Sequence, residues 1–423
     1  MSSARTEDAT GGFLSRQALL GVFLPALCFE TGIGAVTPMV AIRAVQLGTS
    51  LGVAGLLAAM LAVGQILGDA PAGALAARVG DRRALLIAAV ATSVTLVGCA
   101  LAGGPLLFGL AVLLTGATNS VYMLARQAYL TEITPPLYRA RALSTLGGVG
   151  RIGMFVGPFL GAGVVHLFGT VGVFWFGLAV TVVAGVVVAV VPDVEGAGVA
   201  AVRGGAPVSL RRVLVEHRAV FVQLGIAVLL VGATRAARQV VIPLWGEHLG
   251  LAPATTSLVY GLSGLVDTVV FYPAGKLMDR RGRLAVAVPS MVALGATLML
   301  LPLASSAAWL AVIAMAMGLA NGIGAGMIMT LGADVAPPGV RPQFLGVWRL
   351  FSDAGGAAGP LAVAAGAGLG SLAGGAVVMG VMGIVAAGVL RATVPRWSVH
   401  ANARTRVAAG LRPDGHPVVV ERR

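Results

Sequence analysis

Charged residues are scarce in this chain. Only 11% of its 423 residues are Asp, Glu, Lys or Arg, whereas a soluble globular domain has about a quarter. Apolar residues make up 57% of the chain. A chain with so few charges cannot cover itself with a polar surface, so the composition excludes a soluble globular protein and indicates a membrane protein.

The sequence also lacks the patterns of catalysis and metal binding. Its five histidines are scattered without metal-ligand spacing, and there is no G-x-x-x-x-G-K-[S/T] segment to cradle a phosphate. Cys28 and Cys99 both lie in apolar runs. We therefore expect no enzymatic activity, no metal and no cofactor. The net charge of +13 is spread between apolar runs, which indicates membrane topology rather than nucleic-acid binding.

Apolar stretches long enough to cross about 30 Å of hydrocarbon recur along the chain. The first is too long for the core of a signal peptide and contains Glu30, so we expect it to be retained. We predict an all-α membrane fold with twelve spanning helices, at about 17–42, 51–76, 84–103, 107–132, 142–168, 170–192, 219–243, 254–278, 284–304, 307–334, 343–368 and 372–394.

These helices predict five regions. They are an N-terminal segment (1–16), two six-helix bundles (17–192 and 219–394), a linker between them (193–218) and an Arg-rich tail (395–423). The tail combines arginines with Pro and Gly, and we expect it to be disordered. We expect the protein to be a monomer in the lipid bilayer.

Basic residues occur on one side of the predicted helices. They follow the second, fourth, sixth, eighth and tenth spans and fill the tail, whereas the loops near 104, 169, 250, 306 and 370 have none. Cytoplasmic loops carry the excess of Lys and Arg in membrane proteins. We therefore predict a protein of the plasma membrane with both termini in the cytoplasm.

The two halves of the chain repeat each other. Moved by 202 residues, Leu47–Pro158 aligns without a gap on Leu249–Pro360. Identical pairs include Pro71 and Pro273, Arg78 and Arg280, Gly80 and Gly282, Asn119 and Asn321, and Gly157 and Gly359. Parallel repeats of six helices enclose a site near the bilayer midplane and expose it alternately by rocking.

Two segments at equivalent positions of the repeat carry a charged motif. The first basic loop is Gly73–Arg83 and the second is Gly275–Arg283. The second resembles the G-x-x-x-D-R-x-G-R-R loop of the major facilitator superfamily, and the chain is similar to that family over essentially its whole length. The motif residues are Gly73, Arg78, Gly80 and Asp81 in the first loop, and Gly275, Asp279, Arg280, Gly282 and Arg283 in the second.

The resemblance implies that these loops take part in gating. In the family, the acid faces a helix N-terminus of the opposite half and helps to hold the outward-facing state, a contact that complements the helix dipole. Asp279 keeps that acid, but the first loop has Ala77 in its place, so Asp81 or Asp69 would have to serve there. A simpler interpretation is that the arginines only anchor the topology.

A glycine-rich run lies in the fifth predicted span. It resembles the G-x-x-G-x-x-x-G-P-x-x-G signature of family members that export by antiport, and its residues are Gly150, Gly153, Gly157, Pro158 and Gly161. Glycines four apart let helix backbones approach closely, and proline kinks a helix. The run thus indicates an antiporter, or else tight helix packing alone.

Nine charged residues fall inside the predicted spans: Glu30, Asp69, Arg126, Arg151, Arg235, Arg238, Asp267, Arg349 and Asp353. Each costs about 2.5–3.5 kcal/mol at the bilayer centre. Facing lipid together, they would cost upwards of roughly 20 kcal/mol, more than a typical net stability of about 5–15 kcal/mol. They must line a polar cavity or pair with one another.

Depth in the membrane suggests interdomain charge pairs. Arg151 and Asp267 are each about nine residues from the same face, and Asp69 matches Arg349, with Asp353 one turn deeper. Pairs of this kind would close the cytoplasmic side and break when it opens. The alternative is that each charge is satisfied within its own half.

Glu30 is the deepest acid and our candidate for reversible protonation, because low dielectric favours the neutral carboxyl. Arg126 resembles the buried Arg on the fourth helix of the family, which assists a proton relay, although it could instead be a structural partner of Glu30 or Glu132. The predicted substrate cavity contains Gln65, Asn119, Arg235, Arg238, Asp267 and Asn321. Arg235 and Arg238 suit an anionic group, or a salt bridge to Glu30 or Glu247.

The sequence therefore predicts a secondary transporter that exports a small organic molecule or drug by proton antiport. One alternative is a proton-coupled uptake symporter for an organic anion, which Arg235 and Arg238 favour. An alternative of another class is a membrane sensor or scaffold that keeps the fold without transport.

Overall fold

A computed structural model describes residues 18–135, 138–191 and 210–414. Within these ranges the chain forms helices joined by short connections and contains no strand, which confirms the all-α prediction. The N-terminal segment 1–16, most of the linker and the last nine residues of the tail lie outside the described residues.

The described residues of the first half form five helices. They are α1 (Leu24–Gln46, after a π-helical turn at Leu19–Phe23), α2 (Leu51–Val79), α3 (Asp81–Leu101), α4 (Pro105–Ile133) and α5 (Arg139–Val190). The long α5 contains the fifth and sixth predicted spans, which meet at Gly169, where φ is 71° and the backbone is not helical. Glycine adopts this left-handed conformation without steric cost.

The second half contains nine helices within the described residues. They are α6 (Leu210–Glu216), α7 (Ile226–His248), α8 (Pro253–Arg281), α9 (Leu284–Leu300), α10 (Ala307–Ile323), α11 (Met327–Val335), α12 (Arg341–Gly368), α13 (Leu372–Trp397) and α14 (Ala403–Ala408). The short segments Arg218–Val220 and Phe221–Gly225 lead into α7.

The sequence repeat is visible in the helix bounds. Helix α1 and helix α7 begin and end 202 residues apart, and so do α2 and α8. The glycines that end these elements repeat as well: φ is positive at Gly48 and Gly250, and again at Gly80 and Gly282. In both halves, equivalent residues therefore begin and end the first two helices.

The two halves differ at the fourth span of each repeat. We expected the span at 307–334 to be continuous, but it is divided into α10 and α11 by residues 324–326, where Gly326 has a φ of 78°. Its counterpart α4 is continuous. Gly324 and Gly326 occupy the positions that correspond to Tyr122 and Leu124 in the first half. Glycine adopts a positive φ at a lower free-energy cost than residues with a Cβ.

Ten helices in the described part of the chain are long and apolar enough to cross a membrane. One of them covers Arg141–Val190 and thus contains two predicted spans. Helix α12, 28 residues long, carries Arg349 and Asp353 and is not among the ten. These helices provide the twelve segments that the sequence predicts.

The chain divides into two compact units. The first contains the chain up to Thr37 together with Val63–Gly204, and its core includes Phe29, Leu85 and Tyr122. The second contains Pro38–Ala62 together with the chain from Gly205 onward. The start of α2 belongs to the second unit, where a Cβ added at Gly52 would lie 2.6 Å from Gly368 Cα.

The expectation that the whole tail is disordered is wrong for its described part. Helix α13 continues to Trp397, and α14 follows with a capping box in which Asn402 and Thr405 bond each other's backbone. Arg406 is 2% exposed. The sequence suggested disorder because arginines next to Pro and Gly look solvated, whereas Arg406 finds backbone carbonyls as partners.

Candidate functional site

A buried ion pair lies in the first unit. Arg126 of α4 and Glu30 of α1 approach to 2.6 Å between Nη2 and Oε1, and their side chains are 6% and 8% exposed. Arg126 Nη2 also contacts Met123 Sδ at 2.8 Å. Helices α1 and α4 thus place a carboxylate and a guanidinium cation side by side in a buried environment. Separating or neutralising one of two such buried charges costs free energy.

The glycine signature of α5 packs directly on this pair. A Cβ added at Gly150 would lie 3.6 Å from Arg126 Nη2 and 3.7 Å from Glu30 Oε1, and one at Gly153 would lie 2.7 Å from Glu30 Cβ. A Cβ at Gly157 would be 2.6 Å from the backbone nitrogen of Ala35. Backbone of α5 therefore covers the Glu30 side of α1, as glycines at this spacing allow.

Tyr122 is a member of this site that the sequence reasoning missed. Its ring stacks on Phe29 with a centroid distance of 3.7 Å and an interplanar angle of 7°, and it is fully buried. Phe29 precedes Glu30, and Tyr122 lies one turn before Arg126, so the i, i+4 spacing was the available signal. The stack holds the two helices in register beside the ion pair.

A hydrogen-bonded network lies in the second unit. Asp267 Oδ2 accepts from Arg238 Nη2 at 3.3 Å and from Asn321 Nδ2 at 2.7 Å. Arg235 Nε donates to Asn321 Oδ1 at 2.7 Å. Arg238 Nη1 also donates to Ser263 Oγ at 2.8 Å, a partner that the sequence reasoning did not single out. Four of the predicted cavity residues therefore form one network.

Close helix packing explains why this network forms. A Cβ added at Gly322 of α10 would lie 2.6 Å from the carbonyl oxygen of Asp267 in α8, and Gly318 packs against Ser263 in the same way. With the two backbones so close, Asn321 reaches Asp267 directly. The remaining two predicted cavity residues belong to the first unit: Asn119 is buried and Gln65 half-buried.

The proposed interdomain pairs join residues of different units and remain predictions. Within the units, Asp69 accepts a short hydrogen bond from Ser120, and Arg349 Nε lies 3.3 Å from Asp353 Oδ2 on the same helix. Asp267 is bonded to Arg238 as described. Arg151 is half-buried on α5.

The second basic loop is organised around Arg283. Its guanidinium lies 2.9 Å from Asp334 Oδ2 and 3.4 Å from Asp279 Oδ1. The Asp279 side chain is 76% exposed, whereas that of Arg283 is 11% exposed. In residues 18–135, 138–191 and 210–414, no group of three or more His, Cys, Asp or Glu could hold a metal ion.

An all-α chain with twelve long apolar segments, two repeated halves and buried charge networks defines a multi-pass membrane transporter. The sequence profile of the Major Facilitator Superfamily matches residues 22–360, and a second match covers 224–416. The chain belongs to this superfamily, and it is a secondary transporter rather than an enzyme. A comparison with curated proteins gives no match in sequence.

Solved structures of transporters share the fold. A POT family transporter in complex with 5-aminolevulinic acid aligns with a TM-score of 0.74 at 13% identity, over 91% of this chain and 98% of that one. The D-xylose-proton symporter aligns with 0.66 at 16% identity, over 88% and 95%. The human organic anion transporter MFSD10 (TETRAN) aligns with 0.61 at 16% identity, over 89% and 99%. At these identities the likeness is one of fold.

Proposed function

We propose that the protein exports a small organic molecule by proton antiport, with both termini and the basic loops in the cytoplasm. The observation that carries this proposal is the buried Glu30–Arg126 pair beneath the glycine signature of α5. Glu30 is the proton carrier and Arg126 its partner. The network around Asp267 in the second unit supplies polar groups for the substrate.

The coupling follows from the energetics of buried charge. A proton on Glu30 neutralises the carboxylate and leaves the Arg126 guanidinium, 6% exposed, without its counter-charge. Breaking one partner of a buried pair typically costs about 3–5 kcal/mol. Helices α1, α4 and α5 therefore have different preferred arrangements with and without the proton, which is the property that an antiporter needs.

A second candidate is an uptake symporter for an organic anion. Arg235 bonds Asn321 and Arg238 bonds Asp267 within one network. Two neighbouring guanidinium groups suit a carboxylate or phosphate of a substrate. The likeness in fold to a human organic anion transporter and to a proton symporter is compatible with this alternative.

Everted membrane vesicles distinguish the two functions. A thermal-shift panel of nucleosides, peptides, sugars, organic anions and cationic dyes first selects a radiolabelled or fluorescent probe. When the vesicle interior is acidified, an antiporter accumulates the probe, whereas a symporter depletes it. Accumulation supports export, depletion supports the anion symporter, and no response to the gradient contradicts both.

Glu30→Gln tests the proposed coupling residue. The neutral amide keeps the shape of the side chain, so we expect gradient-driven accumulation to be lost while probe binding or exchange is partly retained. Glu247→Gln is the matched control, because Glu247 is another acid of an apolar helix and belongs to the second unit. Unchanged accumulation in Glu30→Gln would remove Glu30 from the coupling role.

A further inference from the structure

The tail segment Ser398–Pro413 packs against the second basic loop. Arg406 of α14 is one of the largest fully buried side chains. Its Nη1 donates to Arg280 O at 2.8 Å and its Nη2 donates to Asp279 O at 2.8 Å. A second bond from Nη1 reaches Pro413 O at 3.1 Å. One guanidinium thus joins the tail to both carbonyls at the loop.

These carbonyls belong to the last turn of α8, which ends at Arg281. The last four carbonyls of a helix have no partner within the helix, and a cation there also complements the helix dipole. Arg406 therefore caps α8 from a distant part of the chain. Backbone carbonyls at the end of α8 therefore supply the hydrogen bonds that allow the Arg406 guanidinium to be buried.

The backbone of the tail pairs with the start of α9. Arg283 N donates to His400 O and Leu284 N donates to Ala401 O, both at 3.0 Å. The first N–H groups of a helix likewise lack partners within it. Gly282 makes this approach possible: its φ is 94°, and an added Cβ would lie 2.7 Å from Ala401 O. The tail therefore bonds both helix ends that flank the loop.

Asp334, near the end of α11, joins the same assembly through its carboxylate. Arg283 binds it with two nitrogens, at 2.9 Å and 3.2 Å, and Ser398 Oγ donates to Oδ2 at 3.0 Å. Paired bonds between Arg and a carboxylate fix orientation as well as distance. Arg283 in turn lies 3.4 Å from Asp279 Oδ1. Hydrogen bonds from Arg283 of the loop and Ser398 of the tail to Asp334 therefore link the loop and the tail to α11.

We propose that Arg406 is a positioning residue for transport: the tail segment caps α8 and α9 and so holds the second basic loop, with the Asp279 carboxylate, in one place. The role of Asp279 rests on the proposed gating function, but the position of the loop does not. Removing Arg406 abolishes its bonds to the carbonyls of Asp279 and Arg280. The tail then releases the N–H groups of Arg283 and Leu284, and Asp279 can move relative to α11.

Hydrogen exchange tests the position of the loop without any substrate. In the full-length protein in lipid nanodiscs, Arg406→Ala should speed amide exchange at Arg283 and Leu284 by about tenfold or more, as expected when charge-assisted bonds that hold a segment are lost. Arg406→Lys keeps the charge but not the two-pronged geometry and should give an intermediate rate. Arg404→Ala is the matched control, because Arg404 is an exposed arginine of the same helix.

Spin labels test whether the loop position matters for the transport cycle. Labels at Arg281 and Val407, both exposed, in a variant with Cys28 and Cys99 replaced by Ser, should give one narrow distance that broadens in Arg406→Ala. Labels on the two basic loops should report an altered balance of conformations in the same variant. Asn402→Ala, which removes only the cap of α14, repeats the test if Arg406→Ala does not fold.

Each outcome decides the inference. Unchanged exchange at Arg283 and Leu284 in Arg406→Ala would show that the tail does not hold the loop. Faster exchange with an unchanged balance of conformations would make Arg406 a structural cap with no part in transport. Either result overturns the proposal while leaving proton-coupled export untouched, because neither measurement involves a proton gradient.

Discussion

The two basic loops occupy equivalent places in the repeat but are held differently. In the first unit, Arg82 donates to the carbonyls of Val188 and Ala189 at 2.9 Å and 3.2 Å, and also to Val191. The loop thus reaches out to the end of α5. In the second unit the direction is reversed, because Arg406 of the tail reaches in to the end of α8. Both solutions place a guanidinium on helix-end carbonyls.

The buried charges also differ between the halves. The position that corresponds to Glu30 is Gly232, and the one that corresponds to Arg126 is Ile328. The first unit therefore has an isolated acid–arginine pair on continuous helices, whereas the second has a larger network next to the break between α10 and α11. The two halves share the glycines that end α1, α2 and their counterparts, but these buried charges differ.

Breaking each buried pair should produce the largest effects. Glu30→Ala leaves Arg126 buried without its counter-charge, at a cost of about 3–5 kcal/mol. Asp267→Ala should cost less, because Arg238 keeps its bond to Ser263. The midpoint of SDS-induced unfolding of the purified protein measures both.

The exposed pair Arg212–Glu216, with side chains 71% and 46% exposed, supplies the control. Glu216→Ala should cost far less than either buried change, because water screens an exposed ion pair. Equal losses in Glu30→Ala, Asp267→Ala and Glu216→Ala would show that burial and extra hydrogen bonds do not set the strength of these three pairs.

Filling the close helix contacts should have an intermediate effect in both halves. Gly157→Val places a side chain against the backbone of Ala35, and Gly359→Val does the same against Ala233. Overpacking of this kind costs about 1–3 kcal/mol. We expect lower melting temperatures for both variants. Gly163→Val should be close to neutral, because nothing lies within 4 Å of a Cβ there, and a large loss in that variant would refute the packing argument.

Changing the acids of the basic loops should have the smallest effect. If Asp279 contacts a helix N-terminus of the first half, Asp279→Asn should shift the populations of the transport conformations by about two- to fivefold, the value of one charge–dipole contact of roughly 0.3–1 kcal/mol. Ala77→Asp restores the acid at the equivalent position and should favour the outward-facing state. Spin-label distances between the two loops measure both changes.

Glu216→Gln, which removes an exposed acid elsewhere, is the control for these two variants. Unchanged distances in both Asp279→Asn and Ala77→Asp would leave the loops as topological anchors.

Local features of the sequence predicted most of the fold. Apolar length located the segments. The 202-residue repeat begins at Leu47, and within it α2 and α8 have matching bounds, whereas the match of α1 with α7 lies before it and is seen only in the structure. The break at residues 324–326 was missed because a glycine-rich stretch is equally compatible with a continuous helix in an apolar environment. In the structure the positive φ of Gly326 marks the break.

The candidate site was predicted as a set of residues and not as a set of partners. Depth along a helix gives the layer of each charge but not the direction in which it points. For Arg238 we considered Glu30 and Glu247, whereas its partner is Asp267. The Glu30–Arg126 pair was one of the alternatives left open, and the position of the antiporter-like glycines above it could not be anticipated from spacing.

The sequence by itself determined that this chain is a duplicated helical membrane protein, because helix length, apolar runs and helix-ending glycines act within one segment at a time. Tertiary structure decided which charge binds which, and that the tail folds. Arg406 illustrates the reason: a lone arginine in a polar tail looks solvated in the sequence, and becomes a buried cap only when the unpaired carbonyls of Asp279 and Arg280, about 126 residues away in the chain, are brought beside it.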